Sequence, residues 1–266
     1  KGLPGVFEAL RAEGSLGTIQ AVGASTRPRA VEGSYMPCFL AGEGQGRVLA
    51  DVLGVPFVPV SHQQGHIAAA AWSAGRMELL DAPMLAWHLS GGTTELLLVT
   101  PQGWNVRAEK LGGTSDISAG QLIDRTGVLL GLAFPAGKAL DALAGAEPGG
   151  EYFSVRLRDE ETIAFSLSGV ENQVKARADR GYPKEEIARF VLNTIADVVC
   201  RATQAAQKRY PGLPVLCSGG VASNARLRQA MTQACPACFA QPAYSTDNAM
   251  GPAILAHRAL ERGGVQ

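Results

Sequence analysis

An excess of charge of either sign is missing from this 266-residue chain: 24 lysines and arginines face 24 aspartates and glutamates, a formal net charge of zero. A balanced chain leaves no electrostatic footprint for binding nucleic acid by itself, so a nucleic-acid substrate needs a local patch or a basic partner. No apolar run reaches the roughly 18–20 residues of a bilayer span, which excludes a membrane helix. No secretory leader is visible either. Cysteine is sparse. Cys38, Cys200, Cys217, Cys235 and Cys238 are an odd number without framework spacing, which excludes a disulfide scaffold and points to reduced thiols in the cytoplasm. Cys235-Pro236-Ala237-Cys238 has redox or zinc-pair spacing but lacks a second cysteine pair. The chain opens at Lys1 rather than at methionine and is read as a fragment.

What the chain has is an alternation of strand and helix patterns, which predicts an α/β architecture. Thr18 to Val22 and Pro56 to Val60 read as strands separated by a helix over about 35–53. Met84 to Leu89, the turn Ser90-Gly91-Gly92-Thr93-Thr94, and Glu95 to Val99 read as a hairpin. Helices are expected near 117–130, 138–144 and 183–209. The last repeats Ile187, Phe190, Val191, Ile195, Val198 and Ala202 with helical period. Pro214 to Cys217 reads as a strand entering Ser218-Gly219-Gly220-Val221 and a helix through Met231. Asp247 is expected to cap a final helix, 248–261.

Only four histidines are present, and two of them stand one turn apart in Ser61-His62-Gln63-Gln64-Gly65-His66. The spacing of four places both imidazoles on one helix face, where neutral rings can chelate zinc or iron. A pair of partly buried or capping histidines is the alternative. Two glycine turns follow strands. Ser90 to Thr94 offers unshielded backbone N–H groups, and positive φ angles at Gly91 and Gly92 would aim them at one anion; a plain hairpin tip is the alternative. In Ser218 to Asn224 the backbone can approach a ligand at a helix start. Asn224 suits an adenine edge, unless the segment is only a tight connection with Ser223 as helix cap. Asp124 and Asp141 are single acids among apolar neighbours, fit to accept ribose hydroxyls or to pair with Arg125 and Lys138. Gly137-Lys138 is no phosphate loop, because Gly131 is one residue too far and Ala139 stands where a hydroxyl is needed.

Together, from Thr18 to Arg258, these motifs resemble the threonylcarbamoyl-adenosine synthase family, once called O-sialoglycoprotein endopeptidase. His62-x-x-x-His66 is similar to the family's metal pair, and Asp247, within Ser245-Thr246-Asp247-Asn248, to its third ligand. Leu89, Ser90, Gly91, Gly92 and Thr93 resemble its phosphate-facing turn. Gly113 to Asp116 and Gln121 to Arg125 resemble the segment ending in the ribose-binding Asp124. Gly137 and Asp141 correspond to the next ribose contact, and Gly219, Gly220 and Asn224 to the adenosine loop. The resemblance implies an actin-like ATPase fold, that of sugar kinases and heat-shock ATPases, with two RNase-H-like lobes around a nucleotide and metal cleft. Residues 1–110 would form the N-terminal lobe, incomplete at its start, and 111–266 the C-terminal lobe, with the last helix, 247–262, packing back on the first. It implies one divalent metal, iron or zinc, held by His62, His66 and Asp247, which would also be the catalytic set. ATP, AMP or an acyl-adenylate would be the cofactor, and tRNA and the proteins of the threonylcarbamoylation machinery the partners. The activity implied is transfer of threonylcarbamoyl from its adenylate to the exocyclic amine of the tRNA adenosine beside the anticodon.

The chain departs from the family pattern in four places. The family's N-terminal strand hairpin has no counterpart before Lys1. Thr93 replaces a histidine, Gln121 a glutamate, and Glu171 in Ser168-Gly169-Val170-Glu171 a lysine. These changes suggest a divergent bacterial paralogue. They leave two alternatives, a nucleotide-binding scaffold without turnover and a carbamoyltransferase for small molecules. A metalloprotease is excluded because Gln63 stands where the general base belongs.

Overall fold

The computed structural model describes residues 2–146, 149–158 and 162–264. The chain begins with α1 (Leu3–Ala12), which has Pro4 in its first turn and no buried residue. Strand β1 (Val22–Arg27) follows, then α2 (Pro37–Leu53), closed by Gly54 in the left-handed region at φ 65°, where glycine carries no Cβ penalty. Strand β2 (Phe57–Ser61) pairs parallel with β1 and runs directly into α3 (His62–Ser73). The first strand lies later than the pattern at 18–22 predicts, and residues 15–18 form a 3-10 turn instead. Its small residues hide it from a hydrophobicity pattern. Gly23 lies so close to the backbone of Pro252 that a Cβ would stand 2.4 Å from the carbonyl oxygen.

The next stretch is a meander of β3 (Met84–Leu89), β4 (Thr94–Gln102) and β5 (Asn105–Thr114). Then come α4 (Ala119–Leu129), α5 (Gly137–Ala144), the short β6 (Ala164–Phe165), α6 (Ser168–Asp179) and α7 (Lys184–Arg209). The chain ends with β7 (Val215–Ser218), α8 (Ala225–Ala234), β8 (Ala237–Phe239) and α9 (Met250–Glu261). No described helix is long and apolar enough to cross a membrane.

Two compact units divide these elements. The first comprises Lys1–Ala68, Gln102–Asn105 and Ala249–Gln266. In it α2 and α9 pack on the β1–β2 pair. The second comprises Ala69–Pro101 and Val106–Asn248. Neither unit is continuous in sequence. Within the second, β3 pairs parallel with β7, His88 opposite Ser218.

The second unit is built on one six-stranded sheet in the order β6-β5-β4-β3-β7-β8. Helix α7 lies against it with Ile187, Phe190, Val191, Ile195, Val198 and Ala202 all buried, as their spacing predicts, and α5, α6 and α8 pack on α7. Trp87 is fully buried in this core and donates its indole N–H to Thr203 Oγ1 at 2.8 Å. Loss of that hydroxyl would strand a buried donor at a cost of about 1–3 kcal/mol.

Candidate nucleotide and metal sites

The histidine pair sits at the start of α3 in the first unit. A reciprocal capping box begins the helix: Gln64 N donates to Ser61 Oγ at 3.2 Å, and Ser61 N to Gln64 Oε1 at 2.9 Å. Each bond satisfies an N–H that a helix start would otherwise strand. Both imidazoles are half-buried, and their Nε2 atoms are 3.0 Å apart. Two nitrogens held by one first-row divalent ion at about 2.0–2.1 Å lie roughly 2.9–3.4 Å apart, for right-angled to tetrahedral geometry. The pair therefore fits a chelated ion. Phe39 of α2 leans on the His62 ring, with centroids 5.3 Å apart. Gly65, between the histidines, is a residue that sequence reasoning missed. A Cβ on Gly251 of α9 would stand 1.9 Å from the Gly65 carbonyl oxygen, so the two helices touch backbone to backbone at that turn.

Asp247 belongs to the second unit and is exposed, in the loop before α9. It does not cap that helix, contrary to expectation. The cap position is Ala249, with no side-chain hydrogen bond. Asn248 Nδ2 instead holds the loop by donating to Thr246 O at 2.8 Å and Tyr244 O at 3.3 Å.

Within the second unit the two glycine turns are neighbours, because they leave the carboxyl ends of the paired strands β3 and β7. Such strand ends are where open α/β sheets bind ligands. Gly219 has φ 94°, and a Cβ there would be 2.1 Å from Leu89 O, so one turn is folded directly onto the other. The first turn is closed by Ser90 N donating to Thr93 O at 2.8 Å and Thr93 N to Ser90 Oγ at 3.0 Å. Gly91 and Gly92 do not take the positive φ angles expected of an anion nest. Glycine serves close approach instead. The start of α4 abuts the turn, so that a Cβ on Gly120 would lie 2.5 Å from Gly91 Cα and from Ser90 O. Ser118 Oγ, buried at the cap of α4, donates to Gly91 O at 2.6 Å and accepts from Gln121 N at 3.0 Å. Gln121 returns the bond by accepting from Ser118 N through Oε1 at 3.0 Å. Glutamine serves a capping box as well as glutamate does, so the Gln121 departure has a structural account.

Asp124 lies on α4 and Asp141 on α5. Asp124 Oδ1 accepts from Ala136 N at 2.8 Å and so fixes the entry to α5, which carries Gly137 at its exposed start. Asp124 does not pair with Arg125. That guanidinium meets Glu171 of α6 at 2.8 Å, and Lys175 reaches the same carboxylate at 3.3 Å. Burial works to raise the Glu171 pKa, but hydrogen bonds and charge from Arg125 and Lys175 outweigh it and hold it below its ordinary value. The charge reversal at Glu171 is thus absorbed by two local cations. Asp141 accepts from Asn224 Nδ2 through Oδ1 at 2.7 Å and from Ala225 N through Oδ2 at 3.3 Å. Asn224, not Ser223, caps α8, its Oδ1 accepting from Leu227 N at 3.0 Å. Buried and spoken for at both ends of its amide, Asn224 orients Asp141 rather than offering a whole free amide edge.

Asp116 is a further acid with a defined seat. Its carboxylate accepts from Thr114 Oγ1, Leu167 N, Ser168 N and the Ser166 hydroxyl, joining the end of β5 to the start of α6. Partial burial pushes its pKa up, and these donors more than reverse that, holding it well below the usual carboxylate range. The cysteines form no disulfide. Burial pushes the Cys200 thiol up to about 12 and raises Cys217, Cys235 and Cys238 as well, which disfavours the reactive thiolate.

Comparison with known proteins agrees with these motifs. Residues 8–254 match the family described as TsaD, tRNA N6-adenosine threonylcarbamoyltransferase. A protein of that name from Thermus thermophilus is 34% identical over 245 residues, covering 90% of this chain and 71% of its own length. One from Lacticaseibacillus casei is 32% identical over 200 residues, covering 73% of this chain. This chain spans 57% of that relative. Among solved structures, full-length HypF in its phosphate- and nucleotide-bound form matches with a TM-score of 0.61 at 15% identity, over 82% of this chain and 38% of its own. Likeness at that identity shows the fold, the actin-like ATPase fold.

Proposed function

We propose a function from one premise: this chain belongs to the TsaD family of tRNA N6-adenosine threonylcarbamoyltransferases. The reaction is transfer of a threonylcarbamoyl group from its adenylate to the exocyclic amine of a tRNA adenosine. The adenosine N6 forms the new C–N bond, the C–O bond to the AMP phosphate breaks, and the amine proton passes to solvent. The observation that carries this reading is the packing of both glycine turns together at the carboxyl ends of β3 and β7, with the Asp141–Asn224 pair at the helix start that follows the second turn.

In this reading the adenylate phosphate lies on the turn Leu89, Ser90, Gly91, Gly92 and Thr93. The ribose hydroxyls face Asp124, Gly137 and Asp141, and the base lies along Gly219, Gly220 and Asn224. Asp124 is suited to that role because its second carboxylate oxygen carries no hydrogen bond among the described residues. Fixing the adenylate this way removes the entropy cost of orienting it for attack. His62, His66 and Asp247 would hold one divalent ion, iron or zinc. Such an ion, when bound, polarises an acyl oxygen as a Lewis acid. We assign the reaction to the cytoplasm, with tRNA and proteins of the threonylcarbamoylation machinery as partners.

The test is a complete reaction. The chain is incubated with the partner proteins, tRNA, ATP, threonine and bicarbonate, and the tRNA nucleosides are read by mass spectrometry. Threonylcarbamoyl-adenosine above the level without this chain supports transfer. Metal and nucleotide binding with no product would mark the chain as a scaffold.

A further inference from the structure

Arg226, two residues past Asn224 on α8, is buried at 9% exposure. A guanidinium so placed needs acceptors, and it has them from three segments. Nη2 donates to Gly145 O at 3.0 Å and Ala144 O at 3.2 Å, the carbonyls at the end of α5. Nη1 donates to Asn193 Oδ1 of α7 at 3.1 Å and to Gly149 O at 3.3 Å. Helix ends leave such carbonyls without intrahelical partners, and a cation there also meets the negative end of the helix dipole. One turn earlier on α5, Asp141 takes its two bonds from Asn224 and Ala225 at the start of α8. The two helices are therefore tied at two points about one turn apart, and Arg226 makes the second tie. Burial lowers the pKa of Arg226, Arg189 adds to that effect, and the Asp141 charge opposes it. A guanidinium stays charged regardless.

We propose that Arg226 is a positioning residue that clamps the end of α5 to α8, so that Asp141 and Asn224 present one fixed geometry to the hydroxyls of a bound nucleoside. The clamp stands on the geometry alone. Its purpose rests on the nucleotide reading above.

The experiment uses the full chain with the variants Arg226→Met and Arg226→Lys. In the ligand-free protein, solvent exchange of the Asn224 side-chain amide is followed by NMR. The expected result is exchange about tenfold faster in Arg226→Met, the scale of one lost hydrogen bond, with Arg226→Lys in between. Calorimetry then compares AMP with 2′,3′-dideoxy-AMP. Arg226→Met should weaken AMP about tenfold and leave the dideoxy nucleotide unchanged, so that hydroxyl discrimination collapses while general affinity stays. A merely structural role would weaken both nucleotides alike. Unchanged Asn224 exchange in a folded variant overturns the clamp, and if Arg226→Met does not fold, Arg226→Lys decides on the same readouts. A wild-type chain that binds both nucleotides equally overturns the hydroxyl reading itself, while the amide exchange still decides the clamp.

Discussion

Asn224 donates to Asp141 at 2.7 Å with one end of its amide and caps α8 with the other. Replacing it with alanine removes a helix cap and a charge-assisted bond together. Asn224→Ala is expected to lose about 1–3 kcal/mol of stability, measurable by urea denaturation. Adenine-nucleotide affinity should fall as well, because Asp141 loses its strongest orienting donor. Wild-type affinity in calorimetry would remove the pair from the site.

Gln121 is expected to tolerate the acid that the family uses. In Gln121→Glu the capping box survives, and a negative charge enters the first turn of α4, where it is worth about 0.3–1 kcal/mol. The melting temperature should hold or rise, and nucleotide affinity should stay within about threefold. A larger loss of affinity would mean that the glutamine amide itself is needed.

Asp116 makes stability depend on acid. Its folded pKa lies below the ordinary carboxylate value, so folding favours the ionised form. The contribution is full above the unfolded pKa of about 4 and fades as pH falls toward the folded value. Asp116→Asn should cost about 1 kcal/mol at pH 7, a figure kept small because the carboxylate is exposed. The gap from wild type should begin to narrow as pH falls below about 4 and keep narrowing as pH falls toward the folded value. A gap that is constant with pH would contradict the account of its donors.

His66 tests the metal assignment. The two Nε2 atoms are 3.0 Å apart, within the spacing of two ligands on one ion, so His66→Ala should abolish stoichiometric binding of zinc or ferrous iron by the purified chain. The fold should survive, because the half-buried ring carries no core packing and the Ser61–Gln64 capping box that starts α3 stays in place. Unchanged metal content by elemental analysis would sink the assignment.

Much of this is legible in local pattern. The period of α7, the hairpin of β3 and β4, and the passage from β2 into the histidine turn all follow from spacing and turn chemistry. Long-range features are hidden. The pairing of β3 with β7 joins segments some 130 residues apart, which no local pattern shows. The contact of Gly65 with Gly251 and the φ of Gly219 against Leu89 are close approaches that a lone glycine in a string does not announce. Asn224 reads as a ligand group in sequence, and only the fold shows that Asp141 and Leu227 already claim it. Arg226 carries no motif and escapes sequence reasoning, although a cation just inside a helix start is an unusual placement against the dipole.

The most direct test of the nucleotide seat is calorimetric titration of AMP into the wild-type chain and into Asp124→Asn, with metal content measured in parallel. In the proposed seat Asp124 would offer its remaining carboxylate oxygen to the ribose, so the variant should bind about tenfold or more weakly while its metal stays stoichiometric. Equal affinity in the two proteins would contradict the placement of the nucleotide at the carboxyl ends of β3 and β7.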